Sequence, residues 1–149
     1  MRKIMIVDDN YLSAEGIEKN IDWEVLNAEI VHICYNGTSA IEAMKNEPVD
    51  LIISDIEMPD LDGISMSRQA LDINPMVKII LISAYDKFEY ARRALLLGAL
   101  DYIEKPLDYA YLIQKVKNAF ALMEKEQKNL QLLKQSRPLL TEKFFREIT

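Results

Sequence analysis

The sequence of 149 residues has one cysteine, one histidine and no long apolar run. Cys34 has no partner for an internal disulfide, so we expect a packed thiol in a reducing compartment. No stretch approaches the length needed to span a bilayer, and Arg2-Lys3 is followed by only four apolar residues before the first acids. These absences argue against a disulfide scaffold and a membrane protein. They predict no signal peptide and a cytoplasmic location.

Positive charge is also scarce, with 18 Lys and Arg against 24 Asp and Glu, which gives a net charge of −6. Binding to a phosphate backbone depends on clustered Lys and Arg, so we do not expect this stretch to hold DNA by itself. His32 stands alone in a predicted strand, which favours a packed side chain over a metal ligand.

Five apolar or β-branched stretches alternate with five helical patterns, which predicts a parallel sheet with helices on both faces. The predicted strands are 3–7, 29–35, 49–53, 77–82 and 100–103. The first, fourth and fifth predicted helices have the N-cap residues Ser13, Asp86 and Asp108. The second predicted helix begins at Thr38 and the third near Ile64. Gly98 is expected at the C′ position of the fourth helix.

The stretch VDLIISDIEMPDLDG contains the first candidate functional residue, Asp55. Its apolar half is typical of a strand buried on both faces, and Pro59 and Gly63 then indicate a loop. Asp55 therefore stands at the carboxyl end of a strand, the edge where open parallel sheets bind ligands. Considered alone, it fits equally well as a residue that caps the following turn or helix.

Other polar residues follow the remaining strands: Asp8 and Asp9 after the first, Ser83 after the fourth and Lys105 just beyond the fifth. In a parallel sheet these positions converge on one edge. Three carboxylates within about 5 Å repel one another by roughly 3 kcal/mol per pair at an effective dielectric of about 20, which a hard cation such as Mg²⁺ offsets. Metal, carboxylate, hydroxyl and lysine together indicate a phosphoryl-transfer site with an aspartyl nucleophile.

The order of these motifs resembles the receiver domain of a two-component response regulator. The matching pieces are Asp8-Asp9, DIEMPDLDG, Ser83-Ala84 and DYIEKP. The resemblance covers about residues 1–122 and implies a flavodoxin-like (βα)5 doubly wound sheet with strand order 2-1-3-4-5. Residues 123–149 are then a helical linker, a C-terminal extension of the domain.

The resemblance also implies a role for each matching position. Asp55 would be the phosphoacceptor, and Ser83 and Lys105 would contact the phosphoryl group. Tyr102 would be the aromatic residue that moves inward on activation. The metal ligands would be Asp8, partly through water, Asp9, Asp55 and the backbone carbonyl of Glu57. Glu57 and Tyr85 occupy the positions that tune phosphoryl lifetime in this family.

Three segments resemble most closely the regulators with an AraC-type helix-turn-helix output: Ile21-Asp22-Trp23, SAYDKFEYARRALLLGALDYIEKPLD and RPLLTEKFFREIT. This implies a sensor histidine kinase as phosphodonor, a homodimer on phosphorylation, and DNA contact only through an output domain further along a longer protein. A natural stand-alone receiver is the alternative. The chain would not be an enzyme but a phosphoacceptor that assists its own phosphotransfer and dephosphorylation.

The tail continues an apolar spacing beyond the receiver, interrupted at Glu126: Leu112, Val116, Ala119, Met123, Leu130 and Leu133. This heptad-like pattern favours a parallel coiled coil or signalling helix over a solvated helix. We expect Pro138 to break the helix and residues 139–148 to begin another.

Two further hypotheses come from other functional classes. A module that dimerises without phosphorylation would self-associate equally with and without a phosphoryl mimic. A Mg²⁺-dependent phosphatase or mutase would need a second acid, for which Glu57 is the candidate, and a cap domain, which nothing in the sequence resembles.

Overall fold

The computed structural model describes residues 1–84 and 88–148, with Phe88 and residues 136–148 described through their backbone alone. The chain divides into two compact units, Met1–Val116 and Lys117–Thr149. The predicted domain boundary after residue 122 stays a prediction. None of the helices in the described residues is long and apolar enough to cross a bilayer.

The first unit contains a parallel five-stranded sheet of order β2-β1-β3-β4-β5, which confirms the predicted fold class. The strands are β1 (Arg2–Val7), β2 (Ala28–Cys34), β3 (Leu51–Asp55), β4 (Lys78–Ser83) and β5 (Asp101–Glu104). The helices are α1 (Tyr11–Asn20), α2 (Gly37–Asn46), α3 (Gly63–Ile73), α4 (Phe88–Leu97) and α5 (Tyr109–Ile148).

The central strand β3 is buried along its whole length. Its register pairs Ile53 with Ile6 of β1 and with Ile80 of β4, and all three side chains are fully buried. A strand with neighbours on both edges and apolar packing on both faces is held in one register, because a slip of one residue would turn every side chain to the other face. The carboxyl ends of β1, β3 and β4 are therefore fixed relative to one another.

Side-chain caps set where several helices begin, and one prediction about them is wrong. Asn10, not Ser13, is the N-cap of α1, because its carboxamide oxygen accepts hydrogen bonds from the backbone N–H groups of Leu12 and Ser13. A cap must lie before the first turn, and the polar Asp8-Asp9-Asn10 run allows the helix to begin three residues earlier than predicted. The predicted cap at Asp108 is confirmed by its bonds from Ala110 and Tyr111.

Two other helix predictions have different outcomes. Gly98 follows α4 with φ of +93°, a backbone conformation that glycine adopts without the steric cost of a Cβ. The predicted cap at Asp86 lies outside the described residues.

The predicted break at Pro138 is wrong, since α5 is continuous from Tyr109 to Ile148. A proline removes one backbone donor from a helix, and here strong helix formers such as Leu133, Lys134 and Leu139 surround it. The helix therefore lacks one backbone hydrogen bond at Pro138 but continues past it.

The two residues predicted to be packed, His32 and Cys34, both lie in β2. One ring nitrogen of His32, Nε2, lies 2.9 Å from the carbonyl oxygen of Glu47. Cys34 is a buried free thiol, and burial raises its pKa. Both positions agree with the predicted packing roles.

Candidate functional site

The structure brings three predicted acids together at the carboxyl edge of the sheet. Val7 of β1 pairs with Ser54 of β3, so the residues that follow them, Asp8 and Asp55, lie side by side. Asp8 and Asp55 are buried, with 2% and 7% of their surfaces exposed, whereas Asp9 is exposed. One carboxylate oxygen from each of the three lies within 4.8 Å of the others. The backbone N–H of Asn10 donates to Oδ1 of Asp8 at 2.9 Å and so helps to fix the position of the Asp8 carboxylate.

Lys105 reaches the same cluster from the end of β5. Its Nζ lies 3.4 Å from Oδ2 of Asp8 and 3.5 Å from Oδ2 of Asp55, so one ammonium group bridges two carboxylates. The backbone N–H of Lys105 donates to the carbonyl of Ser83 at 2.7 Å, which fixes the loop that carries the side chain. The peptide bond between Lys105 and Pro106 is cis.

Ser83 and Tyr102 lie on the two strands beyond Asp55. Asp55 pairs with Ile82 in the β3–β4 register, so fully buried Ser83 is one residue further along the neighbouring strand. Tyr102 of β5 pairs with Leu81 of β4, is half-buried and packs against the hydrophobic core. Ser83 therefore stands next to the acidic cluster along the sheet edge, and Tyr102 stands one strand further away.

The two predicted lifetime positions are less well defined. Glu57 follows Asp55 by two residues and is half-buried in the β3–α3 loop. The role of its carbonyl as a metal ligand stays a prediction. Tyr85 lies outside the described residues.

The pKa of Asp55 reports the electrostatic state of the site. Burial raises it from 3.8 to about 6, and the neighbouring charge of Asp8 adds to the increase. Lys105 and a hydrogen bond from the backbone of Ile56 oppose the shift without cancelling it. The folded protein therefore holds more negative charge at this edge than its own cation neutralises.

Lys105 responds in the opposite sense. Burial is the largest single influence on its pKa and lowers it, but attraction to Asp55 and Asp8 together outweighs burial, so the pKa is raised. Lys105 therefore keeps its positive charge beside both carboxylates.

The donor set fits a hard divalent cation. The cluster offers carboxylate oxygens and no nitrogen or sulfur, which suits Mg²⁺ rather than zinc. Two buried carboxylates that share one lysine also leave an excess of negative charge, which a divalent ion would offset.

Sequence reasoning treated Gly63 only as a loop signal, but the structure gives it a larger role. A Cβ built on Gly63 would lie 2.1 Å from the carbonyl oxygen of Asp55, far inside any contact distance. The backbone N–H of Gly63 donates to the carbonyl of Ile56 at 2.8 Å. The start of α3 therefore packs directly on the backbone that carries Asp55, which no spacing in the sequence indicated.

Known proteins resemble this chain in both sequence and fold. Residues 4–117 match the model of the response regulator receiver domain. The transcriptional regulatory protein YesN of Bacillus subtilis, which is uncharacterised, is 29% identical over 126 residues, or 85% of this chain and 34% of YesN. The receiver domain of AraT, a response regulator from Geobacillus stearothermophilus, is 35% identical with a TM-score of 0.80, over 85% of this chain and 98% of that one.

A two-component transcriptional regulator AraC from Clostridium phytofermentans is 29% identical with a TM-score of 0.76, over 87% of this chain and 99% of that structure. The chain spans about a third of the length of YesN. The receiver model covers most of this chain, and the sheet order matches that of the receiver fold. The chain therefore belongs to the response regulator receiver domain family.

Proposed function

We propose that the chain is a phosphorylation-dependent switch in which Asp55 accepts a phosphoryl group from a sensor histidine kinase. The observation that carries the proposal is the position of Lys105. Its Nζ lies 3.5 Å from Oδ2 of Asp55, which forms an acidic cluster with Asp8 and Asp9. A nucleophilic carboxylate, a fixed cation and two further acids meet at one edge, which is the donor set that aspartyl phosphorylation requires.

In the proposed reaction a carboxylate oxygen of Asp55 attacks the phosphorus of the donor. A new O–P bond forms, and the donor's bond to phosphorus breaks with its electron pair leaving on the donor. Lys105 and the hydroxyl of Ser83 bind the transferred oxygens and limit their charge. Asp8, Asp9, Asp55 and the carbonyl of Glu57 are the proposed ligands of Mg²⁺, which neutralises charge on the phosphoryl oxygens when bound.

Phosphorylation adds about −1.5 to −2 charges and new acceptor oxygens beside residues that already lie close together. We expect Ser83 and Lys105 to be drawn toward the new group and Tyr102 to follow. The face made by α4, β5 and the first turns of α5 then changes shape. Moving such an equilibrium from 1:99 to 99:1 requires about 5.5 kcal/mol of differential stabilisation, so a smaller coupling leaves either some active protein at rest or some inactive protein after phosphorylation.

The output in this proposal is transcription. The regulators that the chain resembles in sequence and fold include AraC-type proteins, and the chain spans about a third of YesN. We therefore propose that phosphorylation favours a homodimer and controls a DNA-binding domain further along a longer protein. The net charge of −6 favours DNA contact through that domain rather than through this chain.

The decisive experiment is direct phosphorylation. The protein is incubated with Mg²⁺ and a small acyl phosphate or phosphoramidate, and intact mass is measured before and after mild alkali. We expect one adduct that survives acid and is lost in alkali, as an acyl phosphate is. Asp55→Asn should give no adduct, whereas Asp60→Asn, which changes an exposed acid in the same loop, should keep it.

Two results would contradict the proposal: no adduct on the wild-type chain, or an adduct that persists in Asp55→Asn. Sedimentation with and without a beryllofluoride mimic then tests the dimer separately. Equal self-association in both states would favour the module that dimerises without phosphorylation.

A further inference from the structure

The start of α2 is bonded to the loop that follows Asp55. The side-chain hydroxyl of Thr38, in the first turn of α2, donates a hydrogen bond to Oδ2 of Asp60 in the β3–α3 loop, residues 56–62. The bond joins residues 22 positions apart in the sequence, and both side chains are exposed. It is a surface contact at the same edge of the sheet as the acidic cluster, because both segments follow the carboxyl ends of parallel strands.

A second contact lies directly beside the first. Gly37, the buried first residue of α2, approaches Leu61 so closely that an added Cβ would lie 2.4 Å from the Leu61 carbonyl oxygen. The side chain of Leu61 is partly buried against the hydrophobic core. Two adjacent residues of α2 therefore contact two adjacent residues of the loop.

The carboxylate of Asp60 connects the loop backbone to α2. Its Oδ1 accepts from the backbone N–H of Leu61 at 2.8 Å, and its Oδ2 accepts from Thr38. The hydrogen bond from Thr38 is the largest influence on the pKa of Asp60 and lowers it. The carboxylate is therefore ionised at neutral pH and remains a hydrogen-bond acceptor.

The start of α2 is in turn fixed relative to Asp8. The backbone N–H of Asp8 donates to the carbonyl of Cys34, the last residue of β2, at 3.0 Å. Asn36 follows Cys34 by two residues and caps α2, since its side chain accepts from the backbone N–H of Ser39 at 2.8 Å. The end of β2 therefore holds both Asp8 and the first turn of α2.

The ends of the β3–α3 loop are fixed by backbone bonds. The N–H of Ile56 donates to the carbonyl of Ile82 at 3.0 Å, and the N–H of Gly63 donates to the carbonyl of Ile56 at 2.8 Å. Glu57 lies just inside the first of these bonds, and the contacts with α2 are made further along, at Asp60 and Leu61.

We propose that the Thr38–Asp60 hydrogen bond is a positioning contact that fixes the β3–α3 loop, and with it the backbone carbonyl of Glu57, relative to Asp8. The inference rests on the proposed function, in which this carbonyl and Asp8 are ligands of Mg²⁺. A ligand that is held in place before the ion arrives loses less conformational freedom on binding. Neither Thr38 nor Asp60 is a proposed ligand, so loss of their bond weakens cation binding without removing a ligand.

The test is the Mg²⁺ dissociation constant of the full chain, measured by isothermal titration calorimetry at about 0.15 M salt, which screens distant charges. Thr38→Val removes the hydroxyl and keeps the branched shape, and Asp60→Ala removes the acceptor. We expect each to raise the constant about threefold, because an exposed hydrogen bond contributes little net free energy. Thr38→Ser keeps a hydroxyl and Asp60→Asn keeps an acceptor oxygen, so both should bind Mg²⁺ as the wild type does.

Two further variants separate positioning from general stability. Thr38→Val combined with Asp60→Ala should bind no more weakly than either single variant, because both changes remove the same bond. Asn74→Ala removes a hydrogen bond from Nδ2 of Asn74 to the carbonyl of Val49 at the opposite edge of the sheet. It should lower the unfolding free energy, measured with denaturant, and leave the Mg²⁺ constant unchanged.

Each contrary result has a distinct meaning. A wild-type chain that binds no Mg²⁺ overturns this inference together with the metal ligands of the proposed function. If the wild type binds and Thr38→Val binds equally well, this inference alone is overturned. It is also overturned if Asp60→Asn loses as much affinity as Asp60→Ala, which assigns the effect to charge, or if Asn74→Ala loses as much as Thr38→Val, which assigns it to stability.

Discussion

At the scale of single residues, Asp55 is held in a place where its negative charge is unfavourable. Burial and the charge of Asp8 raise its pKa to about 6, and Lys105 only partly compensates. A group whose ionised form is disfavoured in the folded state lowers stability at neutral pH. Under the proposed function, the protein therefore loses some stability when the cation and the phosphoryl group are both absent.

We predict that Asp55→Asn stabilises the metal-free protein at pH 7. A pKa unit corresponds to about 1.4 kcal/mol, so a shift from 3.8 to about 6 sets an upper value of about 3 kcal/mol. Denaturant unfolding in the presence of a chelator measures the gain. Asp9→Asn, which changes the exposed acid of the same cluster, should give a smaller one. A less stable Asp55→Asn protein would contradict the electrostatic account.

The same shift predicts a pH dependence of stability. Unfolded Asp55 loses its proton near pH 3.8 and folded Asp55 near pH 6, so the folded state binds more protons between these values. The contribution of this group is fully present below about pH 3.8 and is lost as pH rises through about 6. The stability difference between Asp55→Asn and wild type should therefore grow from near zero at pH 4 to its full value at pH 7. A difference that is constant across this range would assign the effect to packing.

At the scale of elements, the start of α1 depends on one amide side chain. Asn10 accepts from the backbone N–H groups of Leu12 at 3.0 Å and Ser13 at 3.2 Å. We predict that Asn10→Ala lowers the unfolding free energy by about 1 kcal/mol, the usual effect of losing a cap. Ser13→Ala is the matched control and should change stability by much less. Chemical denaturation of both variants measures the difference, and equal losses would contradict the assignment of the cap.

The start of α3 tolerates no side chain where it meets β3. We predict that Gly63→Ala lowers the unfolding free energy by more than about 2 kcal/mol, because its Cβ would lie 2.1 Å from the Asp55 carbonyl oxygen. The comparison is Gly98→Ala, where φ is +93° and no atom lies within 4 Å of the added Cβ. There the loss comes from backbone strain alone, about 1 to 2 kcal/mol. Thermal unfolding ranks the two variants, and a harmless Gly63→Ala would show that β3 and α3 separate easily.

At the scale of the whole molecule, a cation held by the acidic cluster would bind the folded state and so link binding to folding. We predict that Mg²⁺ raises the unfolding free energy of the wild-type chain, by about 2.7 kcal/mol at 100 times its dissociation constant. Thermal unfolding across a Mg²⁺ titration measures this. Asp9→Asn should lose most of the effect, and Asp72→Asn, an exposed acid on α3 outside the cluster, should keep it. Equal Mg²⁺ shifts in both variants would place the ion elsewhere.

The two helical boundaries that differ from prediction show where local pattern is insufficient. Ser13 and Asn10 are both good cap residues, and only the position of the first turn selects between them. Pro138 is a strong local break signal, yet α5 continues through it to Ile148. For α1 the sequence offered two suitable cap residues and the position of the first turn selected one of them, whereas for α5 the helix continued through the residue expected to end it.

The sequence by itself determined the alternation of strands and helices, the parallel sheet and which strand ends carry acids, a hydroxyl or a lysine. These features follow from short-range periodicity and from turn residues, and both signals depend only on residues that are close together in the sequence. Only the tertiary structure decided that Lys105 bridges Asp8 and Asp55, that the pKa of Asp55 is raised, and that α3 packs on its backbone. The two lysine contacts join residues 97 and 50 positions apart in the sequence. Distances of this kind are set by how strands and helices pack, not by the order in which they follow one another.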